Sequence, residues 1–319
     1  MRLRRITALA ALTAAALALT GCAATADAGD TASGTDAPAG ADLSLATANG
    51  ELVLETAPER VVAFDYATLD TLQAIGAEDV VVGTVTSTLP DELSAFADVE
   101  NVGTLKEPDF EAVAALGPDL IIISARMAEL APQLEEIAPV ADMSADGTRQ
   151  LESTAENALA IAGLFGKADV AQERIDENAA LADEIRALAP EAGSTMFLMT
   201  SGGKVSTYGP GSRYGYLFDD LGFEPAVTGG DSSSSHGQEI SFEFIAEQNP
   251  SSLLVIDRDA TIGESGQAAQ ALLDNALVGS TDAWKNERVA YLDGVDWYFV
   301  GGGLDTTKRM LEELRAVVE

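Results

Sequence analysis

Three arginines stand where they could hold an anion. Arg126 and Arg258 lie 132 positions apart, and each follows a short apolar run, Leu120 to Ile123 and Leu253 to Ile256. Arg213 lies in the glycine-rich stretch Tyr208-Gly-Pro-Gly-Ser-Arg-Tyr-Gly, ahead of a helical pattern, where backbone N–H groups also favour anions. The chain carries 18 basic and 52 acidic side chains, so basic residues at matched positions are informative. Taken singly, each arginine reads as a surface residue paired with a local acid, as Asp257 and Asp259 flank Arg258. Taken together, at equivalent strand ends of two facing lobes, the three read as an anion site.

His236 is the only histidine, in the loop Ser232-Ser-Ser-Ser-His-Gly-Gln. A protein-built zinc or manganese site normally needs more than one imidazole, and none is to spare. A serine hydrolase using His236 is the alternative from another class, although no Gly-x-Ser-x-Gly elbow exists. Gly301-Gly-Gly is no phosphate loop, because no lysine with Ser or Thr follows at Walker spacing. Tyr298, between Trp297 and Phe299, is either core filler or a phenol facing a cleft.

An internal repeat positions these residues. Asp109-Phe-Glu-Ala-Val-Ala, Pro118 and Arg126 recur as Ser241-Phe-Glu-Phe-Ile-Ala, Pro250 and Arg258, all shifted by 132, with the apolar runs between them offset by 133. Each copy reads as an N-capped short helix, a turn at proline, a buried strand and an arginine at its end. Between the copies, residues 167 to 190 carry apolar residues at steps of three and four, interrupted by Asn178. Gly166 precedes this run, and Pro190 and Gly193 stop it. About 21 residues make a rod of roughly 30 Å. The fold class expected is α/β: two Rossmann-like lobes with mostly parallel sheets, joined by a long rigid helix. Ligands of such sheets collect beyond the C-terminal strand ends.

The domain reading assigns residues 1–21 to an export signal and 22–50 to a flexible tether. Residues 51–166 form the first lobe, 167–190 the linking helix, and 191–319 the second lobe with a closing helix. Arg2, Arg4 and Arg5 precede an apolar run ending in the lipobox Leu19-Thr20-Gly21-Cys22. Cys22 is the only cysteine, so no intramolecular disulfide is possible, and its place marks it for lipidation. A lipid there would hold the protein on the extracytoplasmic face of the cell membrane. Without residues 1–21 the chain keeps 15 basic and 52 acidic side chains, net −37, which argues against nucleic-acid partners.

Pro58-Glu-Arg-Val-Val, Asp109-Phe-Glu with Gly117-Pro-Asp-Leu-Ile, Ser241-Phe-Glu with Asn249-Pro, and Trp297-Tyr-Phe-Val-Gly-Gly-Gly-Leu resemble a known family. It is the helix-linked (class III) substrate-binding lipoproteins of ABC importers, and within it the ferric siderophore binders of catecholate type. The resemblance covers roughly residues 50 to 319. It implies a non-enzymatic, monomeric binding protein without a cofactor, which delivers an iron(III)–siderophore complex to a membrane permease. It implies that Arg126, Arg213 and Arg258 contact the complex. It also implies that His236 and Tyr298 complete the iron shell when the siderophore is tetradentate, and that Glu111 and Glu243 dock onto the permease. Iron(III) with three catecholates carries −3, which three arginines neutralise with planar donors. Haem, cobalamin or a hydroxamate siderophore are the alternative ligands of the same fold.

Overall fold

The computed structural model describes residues 43–228 and 237–319. The export signal, Cys22, the tether as far as residue 42, and His236 lie outside the described residues. The strands β1 (Leu43–Thr47) and β2 (Gly50–Leu54) form an antiparallel hairpin around Asn49-Gly50. Residues 43–50 therefore depart from the tether expected of them. Leu45 is fully buried in the first lobe's core, and Ala48 N–H donates to Asp142 O at 2.7 Å. A strand with so few large residues is hard to see in a Gly/Ala/Thr-rich stretch, and the tertiary contact decides it.

The first lobe follows with β3 (Val61–Ala63), β4 (Val81–Thr84), β5 (Glu100–Asn101), β6 (Leu120–Ile123) and β7 (Val140–Asp142). They form one wholly parallel sheet in the order β5-β4-β3-β6-β7. Leu120, Ile121, Ile122 and Ile123 are all buried, as a strand covered on both faces requires. After β6 the chain forms only a 3₁₀ turn over Ala128–Leu130 and a single α turn over Ala131–Leu134. Pro132 can stand only in a first turn, so the helix has to start afresh there.

The second lobe has β8 (Ser194–Ser201), β9 (Lys204–Tyr208), β10 (Glu224–Pro225), β11 (Gln238–Ile240), β12 (Ser252–Asp257) and β13 (Val289–Tyr291). β8, β12 and β13 are parallel, but β9 runs antiparallel to both β8 and β11. Parallel pairings are in the majority, as expected, but the sheet is mixed. The cause is Gly202-Gly203, both at positive φ (57° and 75°), which turn β8 straight back into β9. Alternate residues of β8 and β12 fill two cores. Phe197, Met199, Leu254 and Ile256 face one, and Met196, Leu198, Leu253 and Val255 face the other.

The repeat is built as expected. Helices Phe110–Leu116 and Phe242–Gln248 are capped by Asp109, which accepts from Glu111 and Ala112 N–H, and by Ser241, which accepts from Phe244 N–H. They end on Gly117 and Asn249, 132 apart, both left-handed at φ 55° and 46°. The linking helix is Ala168–Leu188. Asn178, which interrupts its apolar stripe, donates from Nδ2 to Leu304 O at 2.9 Å. The closing helix Leu304–Val318 lies against it.

Candidate ligand-binding site

In the first sheet the chain leaves β3 towards β4 on one side and leaves β6 towards β7 on the other. β3 and β6 thus flank the switch point, where open α/β sheets bind ligands. Asp65 follows β3, and Ser124 and Arg126 follow β6. Ser124 Oγ donates to Asp65 Oδ1 at 2.8 Å, tying the two strand ends together. Thr68 adds its N–H and hydroxyl to Asp65 Oδ2. Burial nevertheless raises the Asp65 pKa, against these hydrogen bonds and the Arg126 charge. In the second lobe Ser201 ends β8 and Arg258 follows β12, and Arg258 Nη1 donates to Ser201 Oγ at 3.0 Å. Arg258 opens a one-turn helix, Arg258–Thr261, directly at the strand end.

Arg213 is held by a tight turn. Ser212 Oγ donates to Gly209 O at 2.6 Å, Gly211 N–H to Asp219 Oδ2 at 2.7 Å, and Gly215 N–H to Ser212 O at 2.8 Å. A Cβ on Gly215 would stand 2.6 Å from Gly211 N, so the turn admits no side chain there.

The three arginines meet at Tyr298. Arg126 Nη2 donates to Tyr298 O at 2.8 Å, and Arg213 Nη2 donates to the same oxygen at 3.1 Å. Arg258 Nε donates to the Tyr298 hydroxyl at 3.0 Å. The Arg213 guanidinium lies 5.1 Å from both the Tyr214 and Tyr298 ring centres, and Arg258 lies 5.5 Å from the Tyr298 ring. The hydrogen bond to Tyr298 raises the Arg258 pKa, whereas crowding by protein, and then the Arg213 charge, lowers that of Arg126. Tyr298 therefore faces the cleft, and its neighbour Trp297 fills core. Trp297 stacks on Tyr216 and donates from Nε1 to Glu313 Oε2 at 2.6 Å. The segment that carries Tyr298 is a π-helical turn, Val295–Val300, a rarity that accompanies functional sites. It spans both cores, with Trp297 in the second lobe's and Val300 in the first's.

The cleft between the lobes has a volume of about 960 Å³, and all three arginines and Tyr298 line it. Asp65, Lys106, Lys204, Tyr208 and Tyr214 also line it, and sequence reasoning singled out none of them. Asp65 had a signal, since it directly follows a strand, but its value depended on knowing the strand order. Lys204 lies on the unforeseen β9, with its Nζ 2.8 Å from Glu239 Oε2 of β11.

Glu111 and Glu243 are exposed in the first turns of the two repeat helices. Their helix starts fall on the same side of the sheets as the arginines. A helix that precedes a parallel strand begins at the edge where that strand ends. Asp109 N–H donates to Val102 O, just beyond β5, and Ile240 aligns through Val205 and Thr200 with Asp257 at the end of β12. Each glutamate thus shares its lobe's sheet edge with that lobe's arginine.

A two-lobed α/β protein with a helical link and a cleft at its strand ends is the architecture of a periplasmic solute binder. The chain belongs to the periplasmic binding protein family, whose model matches residues 61–295. It is 40% identical over 265 residues to the petrobactin-binding protein of Bacillus subtilis (strain 168), covering 82% of this chain and 83% of that one. The crystal structure of that protein superposes with a TM-score of 0.82, over 88% of this chain and 99% of the other at 36% identity. The ferric-anguibactin-binding protein of Vibrio anguillarum is 30% identical over 273 residues, 83% of this chain and 84% of that one. The periplasmic catecholate-siderophore binding protein of Vibrio cholerae matches at TM-score 0.80 and 32% identity, over 86% of this chain and all of the other. Members of this family bind solutes, whereas the hydrolase alternative rests on His236, outside the described residues.

Proposed function

We propose that this chain captures an iron(III) complex of a catecholate siderophore in the arginine cleft and delivers it to an ABC permease for iron uptake. The observation that carries the reading is the convergence of Arg126 from one lobe with Arg213 and Arg258 from the other on a single tyrosine in one cleft. A tris-catecholate complex of charge −3 matches three guanidinium groups, each with five N–H donors. A near-neutral hydroxamate complex gains far less from them. The relatives named for petrobactin, anguibactin and catecholate siderophores support the same ligand class, and petrobactin is the first ligand to try. Tyr298, with His236, offers iron a donor when a siderophore leaves coordination positions open. Glu111 and Glu243, on the edge where the cleft opens, dock onto the permease, and a lipid on Cys22 holds the monomer at the outer face of the cell membrane.

Trp297 is buried directly behind the cleft wall, its ring 6.4 Å from that of the cleft-lining Tyr214, so its emission reports ligand entry. Titration with ferric petrobactin, ferric enterobactin, ferrioxamine and haem should give sub-micromolar binding for the catecholates. Ferrioxamine and haem should bind at least about a hundredfold more weakly, a gap of roughly 2.7 kcal/mol. Tighter binding of ferrioxamine or haem would overturn the catecholate assignment.

A further inference from the structure

The helix Tyr66–Ala74 of the first lobe carries a buried carboxylate that the cleft does not use. Asp70 is 3% exposed. Its Oδ2 accepts from Asp305 N–H at 2.8 Å, and its Oδ1 accepts from Thr306 N–H at 3.0 Å and Thr306 Oγ1 at 2.7 Å. These are the second and third amides of the closing helix Leu304–Val318, whose own N-cap, Gly303, has no side chain to offer. The helix is capped instead from the first lobe, although Met310, Leu311, Leu314 and Val318 seat it in the second lobe's core.

The contact continues towards the cleft. Arg309 grips Asp296 through Nε at 2.8 Å and Nη2 at 2.7 Å. The same Nη2 donates to Thr306 Oγ1 at 2.8 Å and lies 3.9 Å from Asp70 Oδ1. Asp296 belongs to the π-helical turn that carries Tyr298. Gly303, at φ 89°, lets the crossing come this close, since a Cβ there would stand 2.5 Å from Asp70 Oδ2 and 2.7 Å from Ala67 O.

We propose that Asp70 is the positioning residue that sets the angle between the lobes. It pins the start of the closing helix and, through Arg309 and Asp296, the Tyr298 turn, to the first lobe. Arg126 stands on one side of this pivot, and Arg213 and Arg258 on the other. The spacing of the three therefore follows the lobe angle, and a binding constellation tolerates only about 0.5 Å of error. The effect on affinity rests on the siderophore reading, whereas the pivot itself does not.

Burial raises the Asp70 pKa to about 6, outweighing the hydrogen bonds from Thr306 and Asp305 N–H. The charges around it are Asp305, paired with Arg174 at 3.5 Å, then Arg309, Asp296 on the far side of Arg309, and Glu92, whose field reaches Arg309. Because this acid's pKa is raised on folding, its contribution to stability is present at low pH and is lost as pH rises through about 6. The contact that buries Asp70 is also what raises its pKa, so by the same linkage acid does not release it.

The test uses the full chain with Cys22→Ser, Glu136→Cys and Glu247→Cys, the last two exposed and one on each lobe, spin-labelled for electron–electron distance measurement. At pH 8 the parent should give a narrow distance distribution. Asp70→Asn, which keeps the shape and loses the charge, should give a broader one. Asp70→Ala should be broad as well and bind ferric enterobactin about tenfold more weakly at pH 8. Distributions for both variants that coincide with the parent's would overturn the pivot, and Asp70→Asn decides alone if the alanine variant does not fold. Failure of the parent to bind ferric enterobactin would instead sink the ligand reading and leave the distance result standing.

Discussion

At the scale of single residues, Tyr298 organises the site and the arginines supply its charge. Each arginine is already oriented by a hydrogen bond to Tyr298, so little side-chain ordering remains to be done on binding. Arg126→Ala, Arg213→Ala and Arg258→Ala should each weaken a ferric tris-catecholate by about 1.5–3 kcal/mol, read by fluorescence quenching. Unchanged affinity in all three would remove the anion site. Tyr298→Phe is a sharper probe, because it leaves the backbone carbonyl, and hence Arg126 and Arg213, in place, and removes only the hydroxyl that Arg258 donates to. It should weaken a tetradentate bis-catecholate complex more than a hexadentate one and shift the visible charge-transfer band of the tetradentate complex. Equal losses for both ligand classes, with no spectral change, would make Tyr298 a shaping group only.

At the scale of elements, the site depends on short, strained pieces rather than on the long helices. The Gly209–Gly215 turn decides where Arg213 points, and Gly215 is its tightest position. Gly215→Ala drives a Cβ into backbone at 2.6–2.9 Å and should cost about 1–3 kcal/mol in a urea titration, with a matching loss of ligand affinity. Gly209→Ala meets its nearest neighbour, Val227 O, only at 3.5 Å and should leave both nearly unchanged. Equal behaviour of the two variants would show that the turn has room and does not aim the arginine. The long helices were legible from their period and stops, and so were both repeat helices with their caps. The β8–β9 hairpin and the π-helical turn were not. One rests on two glycines that read equally well as a loop, the other on packing between two cores.

At the scale of the whole molecule, both lobes open their cleft on the edge that carries the exposed glutamates. On the proposed reading, ligand and permease meet the same face of the protein. The double variant Glu111→Ala, Glu243→Ala should hold ferric siderophore within about twofold of the parent, because neither residue lines the cleft. Iron uptake by cells carrying it should fall about tenfold or more, as expected when charges at a docking face are removed. Normal uptake would leave the two residues as acids favoured only by their helix dipoles.

The sequence by itself determined the local rules. Apolar runs of four to six residues made buried strands, capped heptads made helices, and a 132-residue repeat placed an arginine at the same point of each lobe. These features are set within a few residues of one another, by periodicity, capping and backbone chirality, so a one-dimensional pattern can carry them. Only the tertiary structure decided which strand ends are neighbours, and with them that Asp65 sits beside Arg126, that Tyr298 is the point where three arginines meet, and that Asp70 caps a helix 235 residues further on. Such contacts join groups far apart in the chain, and their energy depends on burial and distance, which exist only once both lobes have packed.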